Sequence, residues 1–264
     1  GDGDGDLEAC YLGLDSTNTT CLPVFMLDPL PADYVYPAPY MGLESYREPL
    51  RYLDLSTSDP SLKLAPNFQL DELAQEVKGQ WAVISPAAVQ RLQDMRNTVG
   101  AILVTSGYRS PGYNATIAGA AASSRHLYGD GFDLVPQAAT LGTLETVCQN
   151  NGGYLVQYTD HVHCDWRNDP VDEVFFGPPG AEVDPGQWWF EGDYGARLRR
   201  EADAWIVEAD GFDEGDPVVE WAALDADGRL LDSRRSRAYR ASAEVVTLEA
   251  LVGGRIHLTV DLAL

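Results

Sequence analysis

The placement of the histidines is the strongest constraint that this 264-residue sequence puts on its fold. The chain has four histidines, and three of them, His126, His161 and His163, fall on either side of Asp133. Zinc sites draw about four ligands from His, Cys, Asp and Glu, and a catalytic site uses three protein ligands and leaves the fourth position open. On a strand, His161 and His163 would point to the same face. The sequence therefore predicts that the distant segments 124–133 and 160–166 meet at one metal site.

The region that contains these residues alternates between helical and strand-like patterns. Ser85-Pro86 is typical of a helix start, and Gly100 is typical of its end. Apolar spacing indicates the other elements: a helix over 71–77 that buries Leu70, Leu73 and Val77, a strand over 101–105, a helix over 141–148, and strands over 154–158 and 161–166. This mixture predicts an α+β domain with a small antiparallel sheet.

The two flanking regions have different patterns. Residues 1–65 look irregular and are expected to form an arm packed over another domain. Their acidic Asp-Gly opening, residues 1–6, is typical of a flexible linker or of a calcium loop. Residues 181–264 carry strand-like runs separated by Asp-Gly and Gly-Gly turns, which predicts a small β-sandwich-like domain. The predicted domains are therefore 1–65, 66–180 and 181–264.

The charge balance excludes several classes of partner. Lys and Arg total 18 against 41 Asp and Glu, which gives a net charge of −23. Such an excess repels phosphate backbones and anionic lipid surfaces, so we expect neither nucleic acid nor a membrane surface as a partner. No apolar run is long enough for a transmembrane helix. The protein is expected to act as a monomer.

Four cysteines bear on the compartment: Cys10, Cys21, Cys148 and Cys164. An even number of cysteines and a scarcity of lysine are typical of an exported protein. Four cysteines allow three pairings, among which sequence alone cannot choose, although proximity favours Cys10–Cys21 and Cys148–Cys164. The chain begins with Gly1, as expected after removal of a signal peptide or in a trimmed chain.

Three motifs of the central region resemble a known family. The run 124–133 fits the pattern Ser-x-His-x-x-Gly-x-Ala-x-Asp, except that Gly131 stands where Ala is usual. His161 and His163 fit the downstream His-x-His, and residues 105–114 fit Thr-Ser-Gly-Tyr-Arg-Ser-Pro-x-x-Asn in full. The pattern resembles the zinc-dependent D-Ala-D-Ala carboxypeptidase family of peptidoglycan peptidases, whose zinc site is shared with the hedgehog signalling domain.

The resemblance covers residues 66–170 and implies roles for individual residues. It implies a hedgehog-type α+β fold in which His126, Asp133 and His163 bind one zinc ion. It also implies that Arg109 faces the cleft and binds the terminal carboxylate of the substrate, for which a guanidinium fork is well shaped. A structural salt bridge is the alternative for Arg109.

The remaining site residues keep alternatives open. Ser124 would hydrogen-bond the substrate or orient the zinc site, or it would only cap a turn. Some family members place the general base, usually Glu, three residues before the last zinc ligand, which here is Asp160; others use the first His of His-x-His, here His161. Asp160 is slightly favoured as base, with His161 stabilising the oxyanion, although the strand geometry favours His161. Asp165 is expected to support a zinc ligand or to form a salt bridge.

These features together predict a secreted or periplasmic zinc metallopeptidase of the bacterial cell envelope. The expected substrates are peptidoglycan stem peptides, with the D-Ala-D-Ala bond as the favoured cleavage site. The alternatives are a murein endopeptidase, including the L-Ala-D-Glu type, and a zinc-containing binding module without catalysis, which the Asp at position 160 favours.

Overall fold

The computed structural model describes residues 7–15, 18–27, 29–37, 40, 44–177, 181–191, 194–212 and 217–262. The acidic run 1–6, expected to be a linker or a calcium loop, lies outside these residues. The chain forms two compact units. The first unit comprises Gly1–Pro37 and Arg51–Phe175, and the second comprises Ala38–Leu50 and Phe176–Leu264. The domain boundaries proposed from the sequence stay a prediction.

The first unit is built from small, mainly antiparallel sheets and short helices. One described sheet has the order β1-β2-β3-β6, another β7-β8-β10-β9, and β4 pairs with β5. The strands are β1 (Glu8–Asp15), β2 (Asn18–Met26), β3 (Arg51–Asp54), β4 (Lys63–Ala65), β5 (Phe68–Gln69), β6 (Trp81–Ala82), β7 (Ile102–Ser106), β8 (Gly131–Pro136), β9 (Tyr154–Gln157) and β10 (Val162–Asp165). The helices are α1 (Leu70–Leu73), α2 (Pro86–Val99), α3 (Pro111–Ala115) and α4 (Leu141–Asn150), and the chain leaves the first unit through α5 (Glu173–Phe176). This mixture is consistent with the predicted α+β class.

Helix α2 begins and ends where its sequence predicts. The Ser85 hydroxyl accepts a hydrogen bond from the backbone N–H of Ala88, and Pro86 occupies the first turn. Gly100, at φ 82°, ends the helix in a conformation that a side chain would disfavour. The face that packs into the core is formed by Val89, Leu92, Met95 and Val99.

The helix expected over 71–77 is wrong beyond Leu73. In a continued helix, the carbonyl of Leu73 would accept the N–H of Val77. Instead it accepts the N–H of Tyr108, at 2.8 Å, from the loop that follows β7. The chain continues as a 3-10 helix over Glu76–Lys78, and the Val77 side chain is exposed.

The N-terminal segment also differs from its expected irregular conformation. Strands β1 and β2 form an antiparallel hairpin that is crosslinked by the disulfide Cys10–Cys21. Ala9 and Tyr11 face the core, and the Tyr11 hydroxyl donates to the carbonyl of Ile84 at 2.8 Å. Only alternate residues are buried, so the strand gives a weak apolar signal.

Strand β10 lies between β8 and β9, and this order brings the site residues together. In the β8–β10 register, His163 lies directly opposite Asp133. The second disulfide, Cys148–Cys164, ties β10 to α4, and both cysteines are fully buried. The backbone at Gly153 approaches this disulfide closely, and the position needs glycine because a Cβ there would lie 2.5–2.6 Å from both sulfur atoms. The structure thus confirms the two disulfides that proximity in the sequence favoured, Cys10–Cys21 and Cys148–Cys164.

The described part of the second unit contains two sheets that share one apolar core. Their orders are β11-β19-β18-β15-β16 and β12-β13-β14-β17, and neighbouring strands are antiparallel except for the parallel pair β11–β19. Leu198 and Trp205 of one sheet share a core with Trp221, Ala250 and Leu258 of the other, as in a β-sandwich. The strands are β11 (Ala181–Glu182), β12 (Trp189–Glu191), β13 (Tyr194–Glu201), β14 (Ala204–Asp210), β15 (Val219–Leu224), β16 (Leu230–Arg235), β17 (Ala238–Tyr239), β18 (Thr247–Val252) and β19 (Ile256–Asp261). A 3-10 helix covers Glu44–Tyr46.

None of the helices in the described ranges is long and apolar enough to cross a membrane.

Candidate metal centre

Three short elements of the first unit bring His126, Asp133 and His163 together. His126 lies in a 3-10 helix, Arg125–Tyr128, that ends at Gly129 in the left-handed conformation, at φ 73°. A Cβ at Gly129 would lie 2.2 Å from the carbonyl oxygen of Val83, so this position needs glycine for both conformation and space. The chain then enters β8, which carries Asp133, opposite His163 on β10.

The three side chains form a compact cluster. One ligand atom from each lies within 4.8 Å of the others. Oδ1 of Asp133 lies 3.2 Å from Nε2 of His126 and 2.9 Å from Nδ1 of His163. Both histidines are buried, and the Asp133 side chain is 13% exposed. The sequence prediction that these residues lie together is therefore met by the geometry.

The outer hydrogen bonds of the two histidines determine which nitrogen faces the cluster. Nδ1 of His126 lies 2.8 Å from the carbonyl oxygen of Gly107, which can only accept, so this nitrogen carries a proton. Nε2 of His163 donates in the same way to Oδ2 of Asp165, at 3.1 Å. In their neutral forms, both rings therefore present a lone pair to the Asp133 carboxylate, which is also an acceptor.

Three acceptors that converge on one point need a cation between them. A proton on one histidine can bridge only one of the two contacts, whereas a metal ion can accept all three lone pairs. Outer partners of the kind supplied by Gly107 and Asp165 are typical of metal-ligating histidines. The residues present therefore fit a metal such as zinc, which binds nitrogen and oxygen ligands in proteins.

The protonation equilibria agree with this electrostatic arrangement. Burial lowers the pKa of His126. Burial also opposes charge on His163, but its hydrogen bonds to Asp133 and Asp165 outweigh this effect and raise its pKa to about 9. Burial would raise the pKa of Asp133, yet the two histidines hold it well below its usual range. Without a metal, the cluster thus retains a proton on His163.

Asp165 forms the salt bridge that was one of the two alternatives expected for it, and it also contacts His163. Besides accepting from His163, its carboxylate pairs with the guanidinium of Arg167 at 2.5 Å. Burial opposes ionisation, but the bonds from Arg167 and His163 lower the pKa of Asp165 to about 2. A charged carboxylate therefore holds the ring of His163 in place.

Arg109 contacts the other oxygen of Asp133. One of its terminal nitrogens lies 2.9 Å from Oδ2 of Asp133, and its Nε donates to the Ser106 hydroxyl at 3.0 Å. A guanidinium has five N–H donors, and these two bonds use two of them. Lys78 lies in the same electrostatic environment. Burial lowers the pKa of Lys78 most, the charge of Arg109 lowers it further, and the charge of Asp133 raises it.

His161 lies at the edge of the cluster, and Asp160 lies outside it. Nε2 of His161 is 3.8 Å from Oδ1 of Asp133, while its Nδ1 is 2.8 Å from Oδ1 of Asp160. The Asp160 side chain is 83% exposed, and its hydrogen bond to His161 lowers its pKa. The chain bends at 159–160, which turns Asp160 away from the regular strand.

Ser124 precedes the 3-10 helix that carries His126. Its side chain is partly exposed and makes no capping hydrogen bond to that helix. The turn-capping role considered from the sequence is therefore wrong for this hydroxyl.

Sequence reasoning missed three contributors to the site. The carbonyl of Gly107 carries no side-chain signal, and Lys78 reaches the site only through the tertiary fold. Tyr158 stacks on His161 with ring centroids 4.3 Å apart and planes 9° apart. Tyr158 is visible in the sequence three positions before His161, but its position in the pattern is that of an ordinary strand residue.

Comparison with known proteins agrees with the geometry. The model of the family described as Peptidase M15 matches residues 66–165, the part of the chain that contains the whole cluster. The resemblance stated from the motifs is thereby confirmed for this segment, and the M15 family includes D-Ala-D-Ala carboxypeptidases. Among curated proteins, none matches this chain.

Proposed function

We propose that this protein is a zinc-dependent peptidase that cleaves peptidoglycan stem peptides between the two terminal D-alanines. The observation that carries the proposal is the convergence of Nε2 of His126, Nδ1 of His163 and Oδ1 of Asp133 on one point. The match of residues 66–165 to the M15 peptidases supports the reaction class.

In this proposal, His126, Asp133 and His163 hold one zinc ion. Bound zinc supplies Lewis acidity, which polarises a carbonyl group and lowers the pKa of water towards about 7. The chain contributes the orientation of the ligands, through the carbonyl of Gly107 and the carboxylate of Asp165.

His161 is proposed to move the proton. Its Nε2 faces the cluster at 3.8 Å from Asp133, so it can accept a proton from attacking water and deliver it to the leaving amine. Asp160 is proposed to fix the tautomer of His161 through Nδ1, rather than to act as the base, because its own carboxylate faces solvent.

Arg109 and Ser124 are proposed to bind the substrate. Arg109 lies against the cluster with donors beyond its bonds to Asp133 and Ser106, which suits it to a terminal carboxylate. The partly exposed hydroxyl of Ser124 is suited to a hydrogen bond with the peptide. Binding of a terminal carboxylate by Arg109 favours a carboxypeptidase, because an endopeptidase cleaves within a peptide and has no terminal carboxylate to bind.

The compartment proposed is secreted or periplasmic, in a bacterial cell envelope, with the protein acting as a monomer. Two disulfides among the described residues are compatible with an oxidising compartment.

Release of D-alanine from a stem pentapeptide tests this proposal. The zinc-loaded protein should release it, a chelator should abolish the release, and the pentapeptide amide should be a poor substrate. His161→Ala should lose more activity than Asp160→Asn if His161 moves the proton. Cleavage of cross-linked muropeptides alone would indicate an endopeptidase. Bound zinc without hydrolysis of any muropeptide would indicate a binding module and refute the enzyme proposal.

A further inference from the structure

We propose that Tyr158 is a positioning residue that holds the imidazole plane of His161 against the metal cluster. The inference deepens the proposed function, since it concerns the group proposed there to move the proton. It names an aromatic stack as a working part of the site, beyond the metal ligands and the Asp160–His161 pair.

Two contacts restrain different motions of the His161 ring. The phenol ring of Tyr158 lies face to face with the imidazole, with centroids 4.3 Å apart and planes 9° apart. This contact restrains the plane of the ring. The hydrogen bond from Nδ1 to Asp160, at 2.8 Å, restrains its direction within that plane. Together they direct Nε2 towards Asp133.

His161 needs such restraint because its backbone lies just outside the sheet. Strand β10 begins at Val162, so the ladder hydrogen bonds start one residue later. The backbone N–H of Tyr158 donates to the carbonyl of His161 at 3.3 Å and closes the turn between β9 and β10. The same turn therefore delivers both rings to one place.

The exposure of Tyr158 argues against a purely structural role. The residue is half exposed, at 51%, so it contributes little to the core of the first unit. One face of the His161 ring is covered by this stack, while the ring edge that carries Nε2 is directed to Asp133. Loss of the tyrosine ring should thus disorder His161 without unfolding the protein.

Tyr158→Leu and Tyr158→Phe, compared in the zinc-loaded full chain, test this inference. Tyr158→Leu should lower kcat about two- to tenfold, the population change that one aromatic contact can cause, with KM and zinc content unchanged. Tyr158→Phe, which keeps the ring, should restore kcat. Phe190→Leu is the control, since it also removes an exposed aromatic ring, but in the second unit.

A second readout is independent of activity. The ring protons of His161 should be shielded by the stacked phenol in NMR spectra, and the shielding should be lost in Tyr158→Leu but kept in Tyr158→Phe. Unchanged kcat in Tyr158→Leu, or an equal loss in Tyr158→Phe, would overturn the inference in an active protein. If the wild type cleaved no peptide, the proposed function would fail, and equal His161 shifts in all three proteins would still refute the positioning role separately.

Discussion

Replacing Cys148 and Cys164 together with alanine should destabilise the first unit by about 3 kcal/mol. The disulfide closes a loop with a sequence separation of 16 residues. In the chain-entropy model, opening a loop of this length raises the entropy of the unfolded chain enough to cost about 3 kcal/mol at 25 °C. Alanine is the right replacement, because both positions are fully buried and serine would add a buried hydroxyl.

The other disulfide supplies a matched comparison. Cys10–Cys21 has a sequence separation of 11 residues, so its removal should cost nearly as much, about 2.8 kcal/mol in the same model. Only Cys164 lies on the strand that carries His163. The two double variants should therefore lose similar stability, whereas zinc affinity should fall only when Cys148 and Cys164 are replaced.

The stability of the first unit alone can be measured by urea unfolding without reductant. Hydrogen exchange of peptides from β8 and β10 serves as the probe. A loss below about 1 kcal/mol for the Cys148/Cys164 variant would refute the loop-entropy reasoning. Equal loss of zinc affinity in both double variants would refute the claim that this disulfide secures the ligand strand.

Three further perturbations have expected outcomes. Asp165→Asn should weaken zinc binding about tenfold in a competition titration, since the outer partner of His163 loses its charge. Gly131→Ala should lower the free energy of unfolding by about 1–3 kcal/mol in a thermal melt, because its Cβ would lie 2.8 Å from Cβ of Arg125. Burial, then the charge of Glu220, raise the pKa of Glu48 from 4.5 to about 7. Since the folded state binds this proton more tightly, the contribution of Glu48 to the stability of the second unit should be fully present below pH 4.5 and be lost as the pH rises through 7. The Glu48 side chain is one-third exposed, so solvent screening reduces the loss to about 1–2 kcal/mol. Glu48→Gln should flatten this pH dependence in urea titrations of the second unit, and exposed Glu244→Gln should leave it unchanged.

The parts of the fold that sequence predicted depend on local signals. Helix α2 has a capping serine, a proline in its first turn and a terminal glycine, and each acts within a few residues. The meeting of His126, Asp133 and His163 was predictable because the motifs matched a family in order.

The parts that sequence missed depend on contacts between distant residues. The hydrogen bond from Tyr108 to the carbonyl of Leu73 ends a helix that apolar spacing alone would continue. The hairpin of β1 and β2 is held to the core by the hydrogen bond from the Tyr11 hydroxyl to the carbonyl of Ile84, 73 residues apart. No pattern in a single sequence encodes such partners.

The preference between Asp160 and His161 changed for a geometric reason. Sequence spacing placed a carboxylate at position 160, but the bend at 159–160 turns it to solvent, where it contacts Nδ1 of His161. The shorter Asp in place of the usual Glu is suited to this neighbouring contact. A backbone bend of this kind has no clear signature in the residues that form it.

The zinc content of wild-type protein and of Asp133→Asn tests the central claim most directly. After equilibrium dialysis against zinc, metal analysis should find about one zinc per chain in the wild type and in the control Asp160→Asn. Asp133→Asn keeps the shape of the side chain but removes the central carboxylate, so it should retain almost none. Wild-type zinc content in a folded Asp133→Asn variant would contradict the assignment of His126, Asp133 and His163 as the metal site.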